Sequence, residues 1–164
     1  MANIRPGHDN EVYNQKSNRM RILLLIPLWK RPEIVQTFLY HLKGTLPDFE
    51  LMPLFILSPE DPDRECLEYQ IRGFERCYTE NTPLGKKMNY GLSQALTFEW
   101  DYLMNIGSDN IFTFRLWELY EPYFIERKMF FGINDIYYYH PGNEEALFIR
   151  DYATGADDTP MPIG

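Results

Sequence analysis

Residues 21–27, RILLLIP, form an apolar run with no polar alternation. A sheet with one wet face alternates apolar and polar residues. A continuous run suits a strand buried on both faces, as in a parallel sheet covered by helices. Pro27 closes the run, and Pro32 fits the first turn of a helix. Beyond it Ile34, Phe38 and Leu42 fall four apart, with Val35 and Leu39 beside them. That is one face of an amphipathic helix, ending near Gly44. Residues 50–58 (ELMPLFILS) read as a second buried strand. Pro53 marks its start or a bulge, because proline cannot donate to a ladder.

The same alternation of elements continues. Residues 59–72 read as a second helix with Cys66, Leu67 and Ile71 towards the core, and 74–78 as a short third strand. After a loop at 81–85, a helix from about Lys86 to Phe98 carries Met88, Leu92, Ala95 and Leu96 on its apolar face. Residues 101–106 (DYLMNI) form a fourth strand that stops at Gly107-Ser108-Asp109-Asn110. Residues 114–126 are expected to be helical. Residues 129–139 and 146–150 read as strands of a hairpin around 140–143. The order β-α-β-α-β-loop-α-β predicts an α/β fold. Its core is an open, mostly parallel, Rossmann-like sheet with helices on both faces, followed by a C-terminal β-hairpin region. Residues 1–19, polar with Pro6 and Gly7, read as a mobile leader, and 20–164 as a single domain.

Composition narrows the chemistry. The chain has 164 residues, enough for one sizeable core. With 16 basic and 24 acidic residues its formal net charge is -8. Non-specific nucleic-acid binding draws its affinity from Lys and Arg on phosphates, so a nucleic-acid partner is not expected. Any phosphate site must be local and built against the overall field. Cys66 and Cys77 form no CxxC and have no His cluster beside them, which argues against zinc. They read as reduced thiols of a cytoplasmic protein. No signal-peptide pattern opens the chain, and its longest apolar run, 22–28, is far too short to span a bilayer, so no transmembrane segment is expected.

In open parallel sheets, ligands bind at the carboxyl ends of the strands. Three segments leave strands there. In the first, residues 27–32 (PLWKRP), a planar base could stack on Trp29 and Arg31 could bond a base or phosphate oxygen. A partly buried Trp beside a solvated Arg accounts for the same residues. In the second, residues 81–89 (NTPLGKKMN), Lys86 and Lys87 oppose the helix macrodipole, which an arriving anion would relieve. Two solvated lysines are the alternative, and the GxxxxGK[ST] pattern of a P-loop is absent. In the third, residues 107–110 (GSDN), Asp109 could hold Mg²⁺ or Mn²⁺, which take oxygen ligands and bridge phosphates. An Asx turn capping the next helix is the alternative.

These three segments, in this order, resemble the nucleotide-diphospho-sugar transferase superfamily, in particular family 2-like glycosyltransferases of the GT-A type. The resemblance rests on IPLWKRP, NTPLGKKMNYGLSQA and YLMNIGSDNI, and covers about residues 21–111, more loosely to Gly164. It implies a nucleotide-diphospho-sugar donor, a divalent cation (Mn or Mg), and transfer of the sugar to an acceptor hydroxyl on a saccharide, a lipid-linked group or a protein. Carried over, Pro27, Trp29 and Arg31 border the base, and Ser58 lies where base or ribose is read. Lys86 and Asn89 face the ribose or diphosphate. Ser108, Asp109 and Asn110 stand at the family's acidic signature, with Asp109 as the metal ligand. Gly107 replaces a first signature Asp and Asn110 a second. The family's second segment, with acceptor site and catalytic base, has no counterpart before Gly164, so the chain reads as truncated. Of the tail carboxylates Glu144, Glu145, Asp151, Asp157 and Asp158, none is singled out as catalytic. Asn134, Asp135 and Tyr137 to Tyr139 are candidates for an acceptor cleft or for a plain aromatic edge strand.

Two other functions compete. A degenerate, non-catalytic domain binding nucleotide or protein fits the reduced acidic signature. A sugar nucleotidyltransferase would want a Gly-rich loop after the first strand, and none is there.

Overall fold

A computed structural model of the chain describes residues 19–44, 49–132, 136–140, 145–149 and 161–162. The chain divides into two compact units, Met1–Trp117 and Glu118–Gly164.

The first unit holds β1 (Arg21–Pro27), α1 (Pro32–Gly44), β2 (Glu50–Leu57), α2 (Arg64–Gln70), β3 (Glu75–Tyr78), α3 (Leu84–Ala95) and β4 (Tyr102–Asn105). Its four strands lie in the order β3-β2-β1-β4, and every pair is parallel. The α/β fold with a parallel sheet is therefore observed. The chain steps outward from β1 to β3, then returns to lay β4 on the other side of β1. The direction of winding thus reverses between β1 and β4, the position at which such sheets open a crevice at their carboxyl edge.

Burial explains why RILLLIP lacks polar alternation. Leu23, Leu25, Leu54, Ile56 and Cys77 share one face and pack with Ala95 of α3; Met88, Phe98, Trp100 and Leu103 close that layer. Ile22, Leu24, Ile26, Phe55 and Leu57 point the other way and are equally buried. Right-handed crossovers put α1 and α2 on that second face. Their buried residues are Val35, Phe38, Leu39 and Leu42 of α1 and Leu67 of α2. Each fully buried aliphatic contributes about 1.5–3 kcal/mol, so β1 anchors both layers.

Pro53 sits inside β2, opposite Leu24. Glu50 donates to Met20 across the β1 side, and Leu57 accepts from Thr79 on the β3 side. Odd-numbered residues of β2 therefore direct their backbone groups towards β3. That strand begins only at Glu75, opposite Leu54. The missing N–H of Pro53 faces a level where no ladder bond is due.

Three expectations are corrected. The second helix starts at Arg64, not at residue 59. Asp61 precedes Pro62, which disfavours helical backbone at Asp61. Instead Asp61 N–H donates to Ser58 O at 3.1 Å, and Arg64 N–H to Asp61 O at 3.1 Å, so the segment proceeds by turns. Cys66 is exposed, because α2 turns Leu67 inward. On α3 the inward residues are Lys87, Gly91 and Ala95, spaced four apart, whereas Leu92 and Leu96 are 36% and 77% exposed. A Cβ at Gly91 would lie 2.9 Å from Ile56 Cγ1 and 3.0 Å from Leu25 Cδ1. The helix backbone lies too close to the sheet there for leucines on its contact line.

The cysteines offer a simple check. Burial raises the Cys77 thiol to about 11, an effect the nearby Lys87 charge only partly offsets. A thiol reagent is expected to modify Cys66 in the native protein and both cysteines after denaturation. Equal native rates would contradict this placement.

In the second unit, Tyr120, Tyr123 and Phe124 of α4 (Phe114–Ile125) gather on Phe131, with ring centroids 5.3, 5.1 and 5.2 Å away. β5 (Ile136–His140) and β6 (Glu145–Ile149) form the expected antiparallel hairpin, and β7 (Met161–Pro162) adds to β6. The first hairpin strand does not start at Met129: Met129 and Phe130 are exposed outside any strand. Asn134, Asp135 and residues 141–144 lie outside the described residues, as does the side-chain placement of Tyr137 to Tyr139. Among the described residues no helix is long and apolar enough to cross a membrane.

Candidate functional site

The carboxyl edge of the parallel sheet brings four loops together, one after each strand. Three of them, after β1, β2 and β3, meet on Lys87, fully buried on the inner line of α3. Its ammonium donates to Leu28 O after β1 at 2.6 Å, to Ser58 Oγ after β2 at 2.8 Å, and to Asn81 Oδ1 after β3 at 3.1 Å. An ammonium has three N–H donors, and here each finds an acceptor. Burial lowers the Lys87 pKa to about 8, against the pull of Asp61, Glu60 and Cys77, so the group is charged at neutral pH. Stripping water from that charge is costly, and charge-assisted bonds offset the loss.

Asp61 is the second buried charge, 6% exposed. Its Oδ2 accepts from the Lys30 backbone N–H at 2.7 Å and its Oδ1 from Asp63 N–H at 3.0 Å. The first bond matters because Lys30 and Arg31 both have φ of 56°. Two successive non-glycine residues in the left-handed region cost about 1–2 kcal/mol each and persist only when the surroundings hold them. Arg31 O then accepts from Ile34 and Val35 N–H, which starts α1. Glu60 ties the next pair of loops: its Oε1 accepts from Asn81 N–H at 2.7 Å, and this bond foremost holds its pKa below the usual carboxylate value.

On this base the exposed groups are arranged. Arg31 Nη1 lies 3.5 Å from Asp109 Oδ2, spanning the reversal between β1 and β4. Both side chains are about half exposed, so the pair is worth little as a stabilising contact and leaves both groups within reach of a ligand. Trp29 is half-buried, with Lys30 Nζ 5.4 Å from its ring centroid. Lys86 is exposed and loosely paired with Glu80 at 3.6 Å.

After β4, residues 107–110 close into a β-turn that the Asn110 side chain braces from its far end. Asn110 N–H donates to Gly107 O at 3.1 Å, and Asn110 Oδ1 accepts from Gly107 N–H at 2.8 Å. A Cβ at Gly107 would stand 2.7 Å from Asp109 Oδ1 and 2.8 Å from Asn110 Oδ1. Any side chain at 107 would displace both groups. The Asn110 carbonyl is thus engaged within its own turn, and Asp109 is the carboxylate this loop presents. Among the described residues, no group of three or more His, Cys, Asp and Glu could enclose a metal ion. Asp109 alone fits a cation that takes most of its ligands from a substrate's phosphates and from water, as Mg²⁺ does.

The sequence-predicted residues divide accordingly. Arg31 and Asp109 meet at the edge, and Trp29 stands two residues before Arg31 in the loop that follows Pro27 at the end of β1. Ser58 and Ser108 are buried, and Ser58 serves Lys87. Asn89 is exposed on α3. Lys87, expected beside Lys86 in an anion cradle, points into the protein instead. Asp61, Glu60 and Asn81 were not foreseen as site residues. The legible trace of the inner line was the four-residue spacing Lys87-Gly91-Ala95, a charged residue in line with two small ones. Neither a protein-family model nor a curated protein matches this sequence.

Proposed function

We propose that this chain is the donor-binding domain of a GT-A-type glycosyltransferase, taking a nucleotide-diphospho-sugar with a divalent cation for sugar transfer to an acceptor hydroxyl. The observation that carries the reading is the pairing of Arg31 with Asp109 across the β1/β4 reversal, with the Arg31 loop tied from below to the loops after β2 and β3. A cation and an anion half-exposed at this position suit a ligand bearing both phosphates and a metal. In this reading the Trp29 face takes the base and Arg31 bonds a diphosphate oxygen. Lys86 turns from Glu80 towards the same charge, and Asp109 is the residue that would hold the cation. The bound cation would supply charge neutralisation on the departing diphosphate. That the loop after β4 presents one carboxylate, Asp109, also favours a second reading, in which the domain binds the nucleotide without transferring the sugar.

Calorimetric titration of a panel of nucleoside diphosphates, with and without Mn²⁺, tests both. One diphosphate is expected to bind, Mn²⁺ to tighten it, and Asp109→Ala to abolish the metal effect. Arg31→Ala is expected to weaken binding about tenfold or more, the loss of one charge-assisted bond. Binding of the corresponding nucleotide-sugar without turnover on any acceptor selects the second reading. A folded protein that binds no nucleotide under either condition sinks both.

A further inference from the structure

We infer that Asp61 is a positioning residue, with Lys87 behind it, that holds the left-handed Lys30–Arg31 backbone and thereby sets the Arg31 guanidinium against Asp109. The inference rests on the donor-site reading for what Arg31 touches, but not for how Arg31 is held.

The argument starts from the unusual backbone. Among the described residues, three non-glycine positions have positive φ, and two of them are Lys30 and Arg31. A free loop of these residues would leave that region, because Cβ crowds the following carbonyl. What faces the strained segment is a buried carboxylate whose Oδ2 takes the Lys30 N–H at 2.7 Å. Asp61 is in turn fixed by its own backbone bond to Ser58 O and by its acceptance from Asp63 N–H. Ser58 Oγ is held by Lys87, which also fixes Leu28 O, two residues before Lys30. The strained pair is thus gripped at both its ends: Leu28 O from below, Lys30 N–H from the β2–α2 loop, and Arg31 O by the first turn of α1. Without these ties nothing local would keep Arg31 beside Asp109. Asp61 bonds the Lys30 backbone, not the Arg31 side chain, so its effect on Arg31 passes through that backbone.

Amide hydrogen exchange on the full chain reads the positioning, and nucleoside diphosphate affinity reads its consequence. The Lys30 amide is expected to be protected in the wild type. In Asp61→Ala it should exchange about ten- to a hundredfold faster, the loss of one bond to a charged acceptor, while Leu24 and Leu25 amides in β1 keep their protection. Diphosphate binding should weaken in the same variant. Lys30→Gly in that background should restore part of it, because glycine adopts left-handed backbone without a tie. A merely destabilised protein would not be rescued by glycine. If Asp61→Ala does not fold, the wild type still decides: a Lys30 amide exchanging as fast as an open loop overturns the inference. So does unchanged diphosphate affinity in Asp61→Ala when the wild type binds. If the wild type binds no diphosphate yet Asp61→Ala exposes the Lys30 amide, the donor-site reading fails and the positioning role stands.

Discussion

Gly91→Val is expected to destabilise the protein by about 3 kcal/mol or more, or to prevent folding, through overpacking between α3 and the sheet. The new side chain would enter space held by Ile56 and Leu25, both fully buried. Gly91→Ala is the sharper comparison. Alanine is better than glycine in a helix by about 1 kcal/mol, so on an open helix face it would stabilise. Here its Cβ meets Ile56, and net destabilisation of about 1 kcal/mol is expected. Ile56→Val removes the carbon that the alanine meets most closely. The two changes should therefore cost less together than the sum of each alone. Urea unfolding at constant slope measures all three. A Gly91→Ala protein more stable than wild type would mean the close approach of α3 is not there.

Lys87→Met carries the second large effect, a loss of about 2–4 kcal/mol. Methionine fills the tunnel of the lysine stem but leaves Leu28 O, Ser58 Oγ and Asn81 Oδ1 without their buried donor. It also leaves the buried Asp61 carboxylate without the charge nearest it in the core. The pH dependence identifies the cause. Burial lowers the Lys87 pKa from the ordinary 10.5 to about 8. Between those values the unfolded chain holds the proton and the folded chain does not, so this group's contribution to stability rises with pH. Below about 8 both states are protonated and the full desolvation cost is carried. The stability difference between wild type and Lys87→Met should therefore widen as pH rises from about 8. Ionisation of Cys77 in the unfolded chain lowers the stability of both proteins alike and cancels in the difference. A difference that stays flat or shrinks as pH rises would remove Lys87 from its buried position.

Both residues lie on the inner line of α3, and that line shows where reading the chain succeeded and where it stopped. RILLLIP and ELMPLFILS announced strands covered on both faces, because a strand has no solvent side to mark when helices lie on each side of it. The helix starting at Pro32 was equally plain, since a 13-residue element with buried Val35, Phe38, Leu39 and Leu42 repeats its pattern enough times to fix its phase. On α3 the same logic chose Met88, Leu92, Ala95 and Leu96, of which Met88 and Ala95 do pack on the core and the two leucines do not. It missed that a glycine, brought against Ile56, rotates the contact line onto Lys87. Hydrophobicity reports what a residue prefers in isolation. It does not report how closely two backbones approach.

The candidate site divides along the same boundary. The order of segments along the chain was enough to place Trp29, Arg31 and Asp109 after strands one and four, and parallel topology put those ends at one edge. These follow from local periodicity and from the chirality of crossovers, both written in nearest neighbours. Tertiary structure alone decided the rest: that Lys87 turns inward while Lys86 stays out, that Asn110 spends its carbonyl on Gly107, and that Asp61 reaches across 31 positions to hold Lys30. Each is a choice between water and a polar partner distant in sequence. Such a choice depends on which groups the fold brings within 3 Å, and no local pattern records that distance.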